Sequence, residues 1–171
     1  MRSALRHLQA ALALALCAAL GGCSATVEEE AGGGDTARVV RVVDGDTIRV
    51  ALPSGEEPVR YIGIDTPESV KPGSPVECFA KKASAFNERL VAGERVKLVR
   101  DVEARDRYGR RLAYVYRARD GLFVNAELVR RGYATVATFP PNVAHEREFR
   151  RLARRARLSG RGLWGQCEGA A

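Results

Sequence analysis

Hydrophobic and polar residues alternate along the early part of the chain in a way that predicts β-strands. Residues 38–43 are rich in β-branched side chains, and residues 47–52 alternate at the period of two typical of a half-buried strand. After a turn at residues 53–55, the segment 58–64 predicts a third strand. Because only short turns separate these segments, we expect an antiparallel meander.

The rest of the chain contains three segments with apolar residues at helical spacing and two further strand segments. Residues 77–91 predict a helix, and residues 125–131 a shorter one. The apolar stripe of the first helix consists of Phe79, Ala83, Phe86 and Leu90. Between the helices, residues 96–99 and 112–116 predict two more strands. Residues 144–158 predict a last helix with six arginines mostly on its outer face, and the pattern leaves open whether they contact a polyanion.

Five short strands with helices inserted late favour a mostly β fold with some α structure. We expect a five-stranded OB-type barrel with about three helices. The chain lacks the long strand–helix alternation that a doubly wound parallel sheet requires.

The N-terminal residues have the pattern of an export signal. Arg2 and Arg6 precede an apolar run at 10–20, which is too short to span a bilayer and has the length of a signal-peptide core. Residues 20–23 resemble a bacterial lipobox, so we expect residues 1–22 to be a lipoprotein signal peptide and Cys23 to be lipidated. An ordinary cleaved signal is the alternative.

The residues after Cys23 differ in composition from the rest of the chain. Residues 24–36 are rich in Glu, Gly and Ala, so residues 23–36 are interpreted as a lipidated cysteine with a flexible acidic tether. Residues 37–171 then form the folded domain. The whole chain carries a net charge of +7, and without two N-terminal arginines and four acidic tether residues the domain carries +9. A basic domain suits a polyanionic partner, although solubility alone would also explain the charge.

Two cysteines, Cys78 and Cys167, lie in the predicted domain, 89 positions apart. In an exported protein they are expected to form a disulfide. The chain has only two histidines, His7 and His145, and its cysteines lack metal-site spacing, so a zinc site has no ligands.

Three short motifs contain the residues that could do chemistry. Asp44-Gly45-Asp46-Thr47 places Asp46 in register with the apolar face of its strand, where a carboxylate must be paired or bind a metal. Asp65-Thr66-Pro67-Glu68 follows the third strand, and its two carboxylates can face one small site. Asp46, Asp65 and a backbone carbonyl are hard oxygen ligands that suit calcium or magnesium. Taken singly, each motif is more often an ordinary turn.

The third motif, Asp106-Arg107-Tyr108-Gly109-Arg110, supplies guanidinium groups, and Arg60 supplies another. Such groups bind phosphate oxygens at two points and keep their charge at any relevant pH. A single arginine is more often a solvated surface charge.

In combination and in this order, the three motifs and Arg60 resemble the staphylococcal nuclease (thermonuclease) family. The resemblance extends over residues 41–164 and includes the runs ASAF at 83–86, LAYVY at 112–116 and LVRRG at 128–132. It implies an OB barrel with helices, in agreement with the pattern of strands.

The resemblance also implies a role for each matching residue. Asp46 and Asp65 would bind Ca²⁺ through their carboxylates and Thr66 through its carbonyl. Asp44 would lie near the ion without binding it directly. Glu68 would orient or deprotonate the attacking water, while Arg60 and Arg110 would bind the scissile phosphate. The reaction would leave 5′-hydroxyl and 3′-phosphate ends.

The resemblance implies a nucleotide pocket as well. Tyr108 matches a tyrosine of that pocket, and Arg107 replaces the lysine usual beside it. Residues 138–142 depart from the family, whose best-known member has two tyrosines and one more residue there. Phe139 could still supply a ring for a base to stack on.

We therefore expect a calcium-dependent nuclease of little sequence preference that acts on DNA or RNA. It is expected to be a monomer, anchored to a membrane through Cys23, outside the cytoplasm, at the cell surface or outer membrane. The alternatives are a catalytically inactive nucleic-acid-binding OB module on a lipid anchor and a structural envelope lipoprotein.

Overall fold

The computed structural model describes residues 34–68 and 75–167. The predicted signal peptide, Cys23 and most of the tether therefore lie outside the described residues. The described residues contain seven strands and four helices. The strands are β1 Gly34–Val42, β2 Thr47–Leu52, β3 Gly55–Tyr61, β4 Gly63–Asp65, β5 Arg95–Val99, β6 Arg111–Arg117 and β7 Thr135–Ala137. The helices are α1 Ala80–Val91, α2 Val124–Arg131, α3 Glu146–Leu158 and α4 Leu163–Gln166.

Five of the strands close into a barrel in the order β1-β2-β3-β6-β5, which confirms the predicted OB-type fold. The predicted meander is present, since β1 pairs with β2 and β2 with β3, both antiparallel. The barrel closes through the antiparallel pair β1–β5 and the parallel pair β3–β6. Alternating residues of these strands point inward, and Ile48, Val50, Val59, Val96 and Val115 are fully buried.

The predicted third strand, 58–64, is in fact two strands with different partners. Strand β3 ends at Tyr61, and Gly63 has a φ of 78°, a left-handed conformation that bends the chain out of the barrel. Strand β4 then pairs antiparallel with β7, a three-residue strand that the sequence pattern did not predict. This bend brings Asp65, the last residue of β4, outside the barrel wall.

The first helix begins later than predicted, and its buried face is rotated. Phe79 has a left-handed φ of 72°, so the helix starts only at Ala80. The buried residues of α1 are Ala80, Ala83, Asn87 and Val91. Phe86 and Leu90, predicted on the buried stripe, are only partly buried, and Phe86 instead stacks on Tyr133 with ring centroids 4.1 Å apart.

Both ends of the described part of the chain have structure that the sequence pattern did not predict. Strand β1 begins at Gly34 and pairs with β5 from there, so the last three residues of the predicted tether belong to the barrel. At the other end, α4 is an unpredicted helix, and Cys167 directly after it forms a disulfide with Cys78. The bond ties the C-terminal segment to the residues before α1. None of the described helices is both long and apolar enough to cross a bilayer.

Candidate active site

The turn between β1 and β2 holds Asp46 in a fixed position. The backbone N–H of Asp46 donates to the Asp44 carboxylate at 3.0 Å, which closes the turn on itself. From α1, the side-chain amide of Asn87 donates to the carbonyl of Asp44 at 3.0 Å. The side-chain oxygen of Asn87 in turn accepts a hydrogen bond from the Tyr61 hydroxyl. Asn87 is fully buried, so this turn is fastened to the core of the molecule.

Asp46 is a buried carboxylate, 3% exposed, and both of its oxygens have partners within the protein. Its Oδ2 accepts from the Thr66 backbone N–H at 2.7 Å and from the Thr66 hydroxyl at 2.9 Å. Its Oδ1 contacts the Arg60 guanidinium and accepts from the Thr47 hydroxyl. The partners supply the compensation that a buried charge needs.

Gly45 allows the two acidic motifs to approach each other. A Cβ on this residue would lie 2.6 Å from the Thr66 hydroxyl oxygen, so any larger residue would push Thr66 away from Asp46. The glycine is therefore required here by a close contact between two loops and not by an unusual φ.

Arg60, on β3, connects Asp46 with Asp65. One terminal nitrogen contacts Asp46, and the other donates to Asp65 at 2.6 Å and to the Ile64 carbonyl at 3.2 Å. The Arg60 side chain is 17% exposed and that of Asp65 is 58% exposed, so the pair lies at the edge of solvent. A guanidinium with this fork geometry binds oxygen anions at two points.

Arg110 is held by the turn between β5 and β6. The Asp106 carboxylate accepts from the backbone N–H groups of Tyr108 and Arg110, both at 2.9 Å, and from the Arg110 side-chain Nε at 2.7 Å. Burial would raise the pKa of Asp106, but the hydrogen bonds from Arg110 outweigh it and lower the pKa below 3.8. Asp106 is therefore a charged anchor that orients Arg110.

These groups meet in one cleft of about 190 Å³. Its lining residues are Asp44, Asp46, Thr47, Arg60, Asp65, Thr66, Pro67, Glu68 and Arg110. The structure thus brings together all the predicted catalytic and metal-ligand residues, from motifs up to 66 positions apart. Glu68 is connected to the segment before α1, since its N–H donates to the Glu77 carboxylate at 2.9 Å and its carbonyl accepts from the Glu77 N–H.

Arg107, Tyr108 and Phe139 do not line this cleft. Tyr108 lies beside it, with its ring 5.5 Å from the Arg110 guanidinium carbon and 4.8 Å from that of Arg107. Phe139 is 74% exposed, on a loop that Asn142 fastens to Glu103 through two hydrogen bonds of 2.8 and 3.1 Å. Both rings are available to a ligand from solvent.

The Arg60 guanidinium lies close to several carboxylates of the cleft and interacts with them electrostatically. Burial raises the pKa of Asp44, while the nearby Arg60 guanidinium acts in the opposite direction. Within 34–68 and 75–167, no three His, Cys, Asp or Glu side chains form a metal-ligand cluster by themselves. However, Asp46 and Asp65 contact different nitrogens of the same guanidinium, so their carboxylates flank one positive charge. Carboxylate oxygens such as these are the hard ligands that suit calcium or magnesium.

Sequence reasoning missed Asn87, although a signal for it was present. Asn87 occupies an inward position on α1, at helical spacing from the buried residues Ala83 and Val91. A polar residue among small apolar ones on a buried face must have a hydrogen-bond partner, and here the partner is the Asp44 turn.

A larger cavity, of about 520 Å³, lies apart from these residues. Its arginines Arg105 and Arg111 are paired with Glu57, at 3.1 and 3.2 Å, and Arg111 also contacts Asp35. The larger volume has none of the clustered carboxylates of the smaller cleft. The chemistry of the side chains therefore identifies the smaller cleft as the candidate active site.

Comparison with known proteins gives a consistent result. Residues 58–166 match the family described as staphylococcal nuclease homologue. The chain is 36% identical over 129 residues to the thermonuclease of Staphylococcus hyicus, with 75% of each chain covered. It is 39% identical over 131 residues to the thermonuclease of Staphylococcus intermedius, with 77% of each covered. The endonuclease YncB of Bacillus subtilis (strain 168) is 39% identical over 126 residues, which cover 72% of this chain and 59% of YncB.

Proposed function

Because this chain belongs to the staphylococcal nuclease family, we propose that its acidic cleft performs calcium-dependent hydrolysis of nucleic acids. The protein is a nuclease, a phosphodiesterase whose substrate is nucleic acid. We propose further that it acts on DNA or RNA with little sequence preference and leaves 5′-hydroxyl and 3′-phosphate ends. The observation that carries the proposal is the convergence of Asp46, Asp65, Glu68, Arg60 and Arg110 on one cleft.

Asp46, Asp65 and the Thr66 carbonyl are the groups that would hold the calcium ion. A bound calcium ion would polarise the scissile phosphate and neutralise part of its charge. The residues of the chain perform the rest. Asp46 is buried and fastened by Thr66, so it is oriented before any ligand arrives. Such preorganisation avoids the cost of reorienting groups during the reaction.

Arg60 and Arg110 would bind the phosphate from two directions. Asp65 holds the Arg60 guanidinium and Asp106 holds that of Arg110, so both groups are directed by carboxylates before substrate binds. They would stabilise the additional negative charge as phosphorus becomes five-coordinate. Glu68, in the same cleft, would accept a proton from the attacking water or orient it.

We also propose that the protein is anchored outside the cytoplasm through a lipid on Cys23 and acts as a monomer. The support is the lipobox-like sequence at 20–23 after an apolar run of signal-peptide length. A covalent lipid and a short tether would keep the nuclease at a cell surface or outer membrane, where extracellular nucleic acid is accessible.

Hydrolysis of denatured DNA tests the proposed activity. Wild type should cleave in calcium and stop when a chelator is added, and Glu68→Gln should be inactive. Glu56→Gln, at an exposed position on β3, is the matched control and should keep full activity. Calcium-independent cleavage would refute the metal proposal. An inert but well-folded wild type that still binds DNA would establish the inactive binding module in its place.

Substitution of the arginines tests the phosphate-binding roles. Arg60→Lys and Arg110→Lys keep the charge but lose the two-point fork, so the cleavage rate should fall about 10²–10³-fold. Arg49→Lys, on the neighbouring strand β2, is the control and should cleave at the wild-type rate. Thermal melting should show that each variant is folded. Full activity in either cleft variant would remove that arginine from the proposed mechanism.

A further inference from the structure

The outer face of helix α3 has an unusual concentration of arginine. The helix has 13 residues, of which Phe149, Leu152 and Ala156 are buried. Six of the others are arginines, all exposed: Arg147, Arg150, Arg151, Arg154, Arg155 and Arg157. The only acidic residues of the helix are Glu146 and Glu148, both in its first turn. The exposed surface of α3 beyond its first turn is therefore strongly cationic.

Two of these arginines have partners and the other four form a separate face. Arg150 pairs with Glu146 at 2.6 Å, and the Arg157 guanidinium lies 5.8 Å from the Trp164 ring. The other four, which we call the arginine face, are Arg147, Arg151, Arg154 and Arg155. At about 100° per residue they span an arc of roughly 100°. In the part of the chain that the structure describes, none of them has an ion-pair partner.

An exposed apolar side chain lies in the middle of this arc. Leu158, the last residue of α3, is 78% exposed and falls on the same face by helical spacing. A phosphate backbone offers nothing for such a side chain, whereas the boundary between lipid headgroups and acyl chains does. Clusters of four or more arginines on a helix are typical of surfaces that bind anionic lipid headgroups.

The arginine face is directed away from the strand that carries Asp65. The opposite side of α3 packs on β4 and β7, where a Cβ on Gly63 would lie 2.7 Å from the Phe149 ring. A flat surface that contacts the arginine face therefore does not have to contact β4. A docked domain can keep its cleft open to substrate.

From these observations we propose that the arginine face of α3 binds the surface of an anionic phospholipid bilayer. The inference rests on the proposed lipid at Cys23, which would bring the domain to such a surface. Ten residues separate Cys23 from β1, and at full extension they span at most about 35 Å. A domain of this size has a radius of gyration of about 14 Å, so the tether lets any face turn to the bilayer. Charge then selects the arginine face.

Vesicle co-sedimentation of residues 24–171 tests this proposal. This chain lacks both the predicted signal peptide and the acyl chain, and the vesicles contain phosphatidylglycerol in phosphatidylcholine or phosphatidylcholine alone. The quadruple variant R147Q/R151Q/R154Q/R155Q removes the arginine face while keeping good helix-forming residues. Each arginine near an anionic surface strengthens binding about fivefold, so partitioning into anionic vesicles should fall several hundredfold. Binding to neutral vesicles should not change.

The matched control is R38Q/R41Q/R95Q/R100Q, which removes four exposed arginines from the barrel side. It lowers the net charge equally and should lose less than tenfold in binding to anionic vesicles. An equal loss in both variants, or no loss in either, would overturn the proposal. So would an α3 variant that binds vesicles normally but single-stranded oligonucleotides weakly, since the face would then bind nucleic acid. Cleavage of a short oligonucleotide should be unchanged in both variants, which separates this test from that of the nuclease activity.

Discussion

Individual side chains in this protein are positioned by carboxylates that have no direct contact with substrate in the proposed mechanism. Asp106 accepts three hydrogen bonds around Arg110, two from backbone N–H groups and one from the guanidinium. The backbone bonds close the turn and the guanidinium bond directs the side chain toward the cleft. One residue therefore determines both the local backbone and the orientation of a proposed phosphate ligand.

Asp106→Asn tests this double role through its dependence on pH. Asparagine can still accept the backbone bonds but loses the charge-assisted bond to Arg110, so the unfolding free energy should fall by about 1–2 kcal/mol at pH 7. The folded-state pKa of Asp106 is lowered below 3.8, so its charge stabilises the fold above that pH. This contribution is lost as the pH falls through the lowered pKa.

Urea denaturation of both proteins at pH 7, 4 and 3 would measure the effect. The difference between wild type and Asp106→Asn should shrink steadily below about pH 4. Glu88→Gln, at an exposed position on α1, serves as the control and should change stability by less than about 0.5 kcal/mol. A difference that is the same at pH 3 and pH 7 would show that the charge of Asp106 does not contribute.

Some helices and strands pack so closely that a residue at their point of contact has no room for a side chain. The clearest is the crossing of α3 over β4, where Gly63 faces the ring of Phe149. Phe149 is fully buried and cannot move without opening the core. The position of the helix on the strand therefore depends on the absence of a side chain at residue 63.

Gly63→Ala should be destabilising for two reasons that a control can separate. The left-handed φ of 78° costs alanine about 1–2 kcal/mol, and the contact of its Cβ with Phe149 should add about 1–3 kcal/mol. Gly93→Ala has a similar φ of 70° but no neighbour within 4 Å, so it should show only the first cost. Chemical denaturation of both variants gives the comparison. Equal losses would mean that the helix adjusts freely over the strand.

At the scale of the whole molecule, the Cys78–Cys167 disulfide links positions that are distant in sequence. The bond closes a loop of 89 residues and fastens α4 to the segment before α1. Neither cysteine lines the acidic cleft. The disulfide should therefore stabilise the fold without taking part in the chemistry.

Replacement of both cysteines by serine should lower the unfolding free energy by as much as about 4–5 kcal/mol, the loop-closure entropy of a bridge of this length. Under conditions where the variant is still folded, the rate of DNA cleavage should stay at the wild-type value. Reduction of the wild-type protein with a thiol should produce the same change in stability. A variant as stable as wild type would show that the bond contributes little to folding.

Much of the fold and the candidate site could be predicted because the determining signals are local. Strand alternation at 47–52 and the turn residues after it depend on neighbouring positions, and the meander follows from them. The acidic motifs at 44–47 and 65–68 are also short local runs of residues, although each one alone is more often an ordinary turn. Their order along the chain indicated the family and, with it, the barrel.

Features that depend on distant contacts could not be predicted in the same way. The end of β3 at Tyr61 depends on β7, which pairs with β4 from 70 or more positions away. Likewise, contacts with distant residues determine how α1 is rotated about its axis. Asn87 is buried because it donates a hydrogen bond to the Asp44 turn, and Phe86 stacks on Tyr133. The periodicity of a helix predicts an apolar face only to within one or two residues.

The sequence by itself determined the class of fold, the family and the residue types of the cleft, because periodicity and short motifs are properties of neighbouring residues. Only the tertiary structure decided that Arg60 is shared between Asp46 and Asp65 and that the arginines of α3 face away from β4. These arrangements depend on the closure of the barrel and on the packing of helices against it. Such packing arises from contacts between residues far apart in the chain, which no local pattern records.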